Sequence, residues 1–457
     1  MRVITNTAEP SYKISPKSKA VLPLGMVLFL LYAWVCVGRP QEMVPALTVL
    51  RLGLVTGGLA LLAWFRAPGW FTEKIPIEVP IVRDVMILLG VALITVPIGV
   101  WPGHSLLFLF NVFLKTILLF FMVIYWCRTV GDVRRLLWVY CIASVAVVIP
   151  GVIFGQTGQE RYSVGSLSYD PNDIALLQVM ALPLIVYLYS TSGRHARFVL
   201  AGMALLCLYG VVLTQSRGGF LALVVAGSLI LSRSSMSRST KLSIVVVGLV
   251  VFGVLAGTAW KERIRTMWDP QTEYDQTAGG RTDVWKASLV LLATHPWGVG
   301  IDNFVTAEGL SHGGTGKWSA SHNSFLEIAV ELGVVGLAVF IRLLVWTMST
   351  LRQIKMSIRP RAPTVFVRKV TSKRATTAPQ ELDERGHLFQ LAEAVQVTLW
   401  GFIVGGFFLS QAYSAMLYVM LALSLVLARL AQLRSVTPNA AWRRSPAAAV
   451  EPGLRTH

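Results

Sequence analysis

Apolar runs of roughly 17 to 25 residues, long enough to cross about 30 Å of hydrocarbon, recur along this chain and constrain its fold more than any other feature. A backbone in lipid has to satisfy its own N–H and C=O groups, so runs of this length read as helices. We place them at approximately 20–38, 44–65, 82–100, 104–127, 134–154, 172–190, 197–213, 218–232, 242–258, 324–348, 394–410 and 414–433. Hydrophobic residues make up 54% of the sequence and charged residues 14%, with a mean hydropathy of +0.62. The chain therefore reads as an all-α integral membrane protein of about 12 transmembrane helices, not as a string of soluble domains.

The first run follows a basic stretch (Lys13, Lys17, Lys19) with no small-residue cleavage site after it, which reads as a retained helix and not a signal peptide. Cys36, Cys127, Cys141 and Cys207 fall inside apolar runs at unrelated spacings, the pattern of neither a disulfide framework nor a zinc site. Most of the 41 Lys and Arg residues lie in alternate connecting segments, and the positive-inside bias then places both termini in the cytoplasm. On this reading the net charge of +18 is topology signal and attraction to anionic membrane lipids. Nucleic acid is not an expected partner.

The chain then divides into helices one to nine over residues 1–258, one large periplasmic loop at 259–323 and helix ten at 324–348. A basic cytoplasmic loop follows at 349–393, helices eleven and twelve at 394–433, and a disordered cytoplasmic tail at 434–457. The basic loop, with Pro360, Pro363 and Pro379 among its charges, reads as a solvated, partly disordered linker near the lipid surface. In the periplasmic loop, Trp260, Trp268, Trp285, Trp297 and Trp318 suit a segment at the membrane interface. Within it an amphipathic helix is expected from about Thr282 to Thr294, with Val284, Ala287, Leu291 and Leu292 on one face and His295-Pro296 as its stop.

In this topology every second helix starts at the outer surface, where it presents roughly half a positive charge and several free N–H groups. Span six opens at "YDPNDIA", with Asp170 as N-cap and Pro171 in the first turn. Span eight opens at "SRGG", the loop helix at "GGRTD" and span ten at "SASHNSFLEIAVELG". Arg217 and Arg281 thus sit where a helix start disfavours a cation. A bound anion compensates: glycines let backbone N–H groups approach it, and a guanidinium grips phosphate oxygens in a planar fork. The alternative is a carboxylate partner, such as Asp170, or Asp283 for Arg281, or a side chain snorkelling to the interface.

At His322 the positive helix end keeps an imidazole neutral and able to take a proton; the alternative is a capping or interfacial histidine held by Asn323 or Ser324. His312, in "GLSHGGTG", is a weaker candidate. Glu327, one turn beyond Ser324 as in a capping box, and Glu331, a further turn on, read as structural as readily as functional. External acids are scattered and contain no Asp-x-Asp, so neither a metal nor another cofactor is expected and the positive charge falls to arginines.

At these residues the sequence resembles the O-antigen ligase and O-antigen polymerase superfamily of bacterial inner membranes, most of all the ligases. The resemblance rests on "TQSRGGFLAL", "GRTDVWKASLVLLATHPWGVGIDNF" and "SHNSFLEIAVELGVVGLAVF", in that order, the last two set around one large external loop. It implies a membrane-embedded glycosyltransferase that takes a glycan from undecaprenyl diphosphate at the periplasmic face; attack opposite the leaving group makes inversion the expected outcome, and the scattered acids make it metal-independent. In ligases the acceptor is a sugar hydroxyl of lipid A–core, in lipopolysaccharide synthesis.

The family's functional arginines correspond to Arg217 and Arg281, and its functional histidine to His322. "RYSVGSLSYDPNDIA" looks like the family's external loop and brings in Arg161 and Asp170; Asn172, Ser216, Gly218 and Asn323 complete the candidate substrate-binding set. "GRPQE" is similar to a stretch in some relatives, including a branch linked to protein O-glycosylation, so lipid A–core, a growing glycan and a protein all stay open as acceptors. A rival class, a transporter of lipid-linked sugars, would use intramembrane cations such as Arg51 and Lys115. Transporters tend to pair repeats around interrupted helices at mid-membrane, whereas the decorated ends here lie at one surface.

Overall fold

The computed structural model describes residues 22–67, 79–154, 162–163, 170–255, 260, 281–314, 318–358 and 378–435. Arg161, Trp268, the middle of the basic loop and the C-terminal tail lie outside the described residues. Every regular element among the described residues is helical. Besides two short turns of helix at Pro40–Met43 and Pro45–Leu50, they comprise α1 (Leu24–Gly38), α2 (Leu52–Phe65), α3 (Pro80–Ile98), α4 (Pro102–Trp126), α5 (Val130–Phe154), α6 (Pro171–Ser190), α7 (Arg194–Thr214) and α8 (Arg217–Arg233). Then follow α9 (Arg238–Leu255), α10 (Arg281–Thr294), α11 (Phe304–Ser311), α12 (Ser324–Glu331), α13 (Gly333–Ile358), α14 (Ala378–Gly406) and α15 (Ala415–Ser435).

Nine helices among the described residues are long and apolar enough to cross a membrane, which makes the chain a multi-pass membrane protein. Of the twelve expected spans, the other three fold as α1, α8 and α9 without standing among those nine. The amphipathic loop helix forms as α10, burying Val284, Ser288 and Leu291 and stopping just before His295-Pro296.

α6 and α15 lie at the centre of the bundle, buried along most of their length, whereas α2 is peripheral. Small residues let the neighbours of α6 come close, as expected where lipid supplies no hydrophobic drive between helices. Gly219 of α8 packs on Ala175, Gly210 of α7 faces Val148 and Gln178, and Gly405 of α14 meets Leu176. Polar side chains add hydrogen bonds between helices: Gln178 Nε2 donates to the Ser144 carbonyl (3.0 Å) and Thr398 Oγ1 to the Met180 carbonyl (3.1 Å). Between α3 and α13, Arg342 grips the fully buried Asp84 with both prongs of its fork (2.9 and 2.8 Å), so this intramembrane cation has a structural partner.

Two expectations need correction. The apolar pattern places span ten at 324–348, but the segment is two helices, α12 and α13, broken at Leu332–Gly333. That glycine has φ +71, and a Cβ there would collide with the Pro296 carbonyl, because the 296–300 turn is laced to the break. Val299 N–H donates to the Val330 carbonyl, Gly300 N–H to the Glu331 carbonyl and Val334 N–H to the Pro296 carbonyl.

The charges and prolines of 349–393 read as a solvated linker, yet α13 continues to Ile358 and α14 starts at Ala378. Leu351, Ile354 and Ile358 on α13, and Leu388 and Leu391 on α14, are buried at helical spacing. The surrounding charges masked that stripe.

Candidate active site

The site is built from four helix starts. α7 ends at Thr214, and Gln215, in the left-handed region (φ 48), turns the chain straight into Ser216, the N-cap of α8. The fully buried Ser216 hydroxyl accepts from Gly219 N–H (3.1 Å) and donates to Asn172 Oδ1 (2.7 Å), tying the start of α8 to the start of α6. At α6, Asp170 Oδ1 accepts from the N–H groups of Asn172 (2.6 Å) and Asp173 (2.9 Å), while Asp173 accepts from Asp170 N–H (3.2 Å). This capping box sets the helix axis and presents Arg217 as the first residue of α8.

The glycines after Arg217 are closely packed. Gly219 has no room for a Cβ against Ala175, and a Cβ on Gly218 would sit 2.7 Å from that of Phe408. Both are buried, and the Gly219 N–H is taken by the Ser216 hydroxyl.

The other two starts meet on residues 407–414, which join α14 to α15. Ser324 Oγ donates to the Leu409 carbonyl (2.6 Å) and accepts from Gln411 N–H (2.9 Å), and the hydroxyls of Ser321 and Ser410 are 2.9 Å apart. Trp285 of α10 donates its indole N–H to the Ser321 carbonyl (3.0 Å) and meets the Phe407 ring edge-on at 5.5 Å. His322 is therefore held from both sides, in a left-handed conformation (φ 44) that costs about 1 kcal/mol or more and that the surrounding bonds impose. Asn323 caps α12 by accepting from Phe325 N–H (2.9 Å) and Leu326 N–H (3.1 Å). Arg281 begins α10, one turn before Trp285. Phe408 against Gly218 joins the α8 start to the same turn.

The capping-box reading of Ser324 and Glu327 is corrected: Asn323 is the cap, and Glu327 Oε2 accepts from Ala412 N–H (3.4 Å). Glu331 bridges Phe304 N–H (3.3 Å) and Tyr413 O–H (2.8 Å). The acids that look scattered along the sequence are partly gathered by the fold. Burial pushes the Glu331 carboxyl up to about 8, with the charge of Asp302 adding to the rise and hydrogen bonds opposing it. Burial, and then the charge of Glu331, raise Glu327 well above its ordinary value. Asp302 rises to about 6 through burial, with His104, 2.8 Å away, pulling it down. Among the described residues no three such groups converge as a metal site would need.

Of the sequence candidates, Arg217, Arg281, His322 and Asp170 are half-buried. Asn172, Ser216, Gly218 and Asn323 are buried and set the helix starts. Asp170 caps α6, and Asp283 lies 3.4 Å from Lys286. Ser321, Ser410, Trp285 and Phe408 were not picked out as site residues, because nothing in their local sequence shows that the 407–414 turn lies beneath His322.

Residues 202–341 match the family model of the O-antigen ligases, a stretch that contains Arg217, Arg281 and His322 and leaves Asp170 and Asn172 outside. No curated protein matches the chain. Residues 202–341 are therefore a domain of the O-antigen ligase/polymerase superfamily, set in a chain of membrane-type helices.

Proposed function

We propose that the protein is an O-antigen ligase. It would transfer a glycan from undecaprenyl diphosphate to a sugar hydroxyl of lipid A–core, at the periplasmic face of the bacterial inner membrane, with both termini in the cytoplasm. One observation carries this reading: the turn at 407–414, itself outside the matched stretch, ties the segment bearing His322 to the starts of α8 and α10, where Arg217 and Arg281 stand, and those three residues lie within the matched stretch.

In the reaction the acceptor oxygen bonds to the anomeric carbon as the bond from that carbon to the diphosphate oxygen breaks. The electron pair leaves with undecaprenyl diphosphate, and the acceptor proton goes to a ring nitrogen of His322. Negative charge grows on the leaving group, so arginines fixed beforehand stabilise the transition state more than the ground state. Attack opposite the leaving group inverts the anomeric configuration. Asn172, Ser216 and Asn323 position these groups by holding the helix starts.

A polymerase or a protein O-glycosylating transferase would share the donor chemistry. Deleting the gene and resolving lipopolysaccharide on a gel separates them. Bare core beside free undecaprenyl-linked polymer is expected for the ligase, single-repeat caps for a polymerase, and unchanged lipopolysaccharide would refute both.

A further inference from the structure

We propose that Trp101, His104 and Asp302 form a saccharide subsite at the head of α4, remote from the reacting bond, that holds a sugar ring of one of the two glycans. The inference rests on the transferase reading above. His104 Nε2 lies 2.8 Å from Asp302 Oδ2, and both side chains are more than a third exposed. The Trp101 indole lies over the His104 ring with centroids 5.1 Å apart and an interplanar angle of 23°, and it is itself 54% exposed.

This corner is rigidly built. Val100 N–H donates to the Val299 carbonyl (2.8 Å), Ser105 Oγ to the Ile301 carbonyl (2.6 Å) and Asn303 Nδ2 to the Trp101 carbonyl (3.4 Å). Asp302 is held in the left-handed region (φ 60), a conformation with a cost that places its carboxylate beside the imidazole.

The chemistry suits a sugar. A pyranose or furanose has an apolar C–H face that packs on an indole and a rim of hydroxyls that need both donors and acceptors. The Asp302 carboxylate supplies acceptors, and the imidazole nitrogen that does not face it, His104 Nδ1, supplies one further hydrogen-bonding group. The corner also lies at a useful range. Gly300 N–H is bonded to the Glu331 carbonyl, at the far end of α12, which spans about 10 Å at the helical rise from its start beside His322, so a glycan leaving His322 along α12 would reach it within a few sugar units.

The test uses the full chain in lipid nanodiscs, with donors and acceptors of graded glycan length. Trp101→Ala should raise KM roughly tenfold, a loss of about 1.4 kcal/mol, for glycans long enough to reach the corner. kcat should hold, as should KM for shortened glycans, and Trp101→Phe should recover most of the loss. His104→Gln and Asp302→Asn, the latter tolerant of the left-handed backbone, should show the same length dependence. A KM change that follows acceptor length assigns the ring to the acceptor, and one that follows donor length assigns it to the donor. A KM equal to wild type at every length, or a change confined to thermal stability as expected of an interfacial anchor, overturns the subsite. Wild-type protein that transfers no glycan would instead overturn the transferase reading, and the subsite with it.

Discussion

On the proposed mechanism the decisive residues are cations at helix starts, where the macrodipole works against them. Arg217 stands immediately after the buried Ser216–Asn172 link, so its backbone is fixed and only its side chain can adapt to a ligand. If it clamps a diphosphate, the planar fork matters as much as the charge. Arg217→Lys should then reduce transfer on the order of 100-fold while membrane insertion stays normal. An in vitro transfer assay beside a membrane-fraction immunoblot checks this, and near-wild-type transfer would rule out the clamp. His322→Ala should remove turnover yet leave donor binding intact, which full activity in that variant would contradict.

Among the elements, α12 is the one whose role most needed the structure. A helix of eight residues gains little stability alone, and this one is held by its capping asparagine, the 296–300 turn and Glu331. Glu331 has a folded-state value near 8, above its ordinary one, so the protonated form is what folding favours. Its contribution is complete at acid pH and is lost as the pH rises through about 8. Thermal unfolding in detergent should show the melting temperature falling by a few degrees between pH 5 and pH 8.5. Glu331→Gln keeps an acceptor for Phe304 N–H without the titration and should lessen that fall, the remainder coming from Glu327 and Asp302, whose carboxyls are also raised; an equal fall in the variant would locate the dependence elsewhere.

At the scale of the molecule, the site sits at one end of the bundle, and Arg342, one of the cations within the spans, is committed to Asp84. Both features fit an enzyme working at one surface better than a carrier moving charge through the membrane. Transfer between purified donor and acceptor in vesicles should therefore proceed without an ion gradient and persist in EDTA. Loss of activity in the chelator, restored by a divalent ion, would favour a metal mechanism. Movement of the donor across the bilayer without covalent change would favour a transporter.

The helical membrane class was legible from the order of residues alone, because a backbone in hydrocarbon has few other solutions. The same order shows which helix starts carry Arg217, Arg281 and His322, because caps and apolar periodicity are local. Tertiary structure alone decided that Gly218 and Gly219 serve packing, that span ten breaks at Gly333, and that the 407–414 turn underlies the segment carrying His322. These depend on groups tens to hundreds of positions apart arriving in van der Waals or hydrogen-bond contact, and no local pattern encodes that.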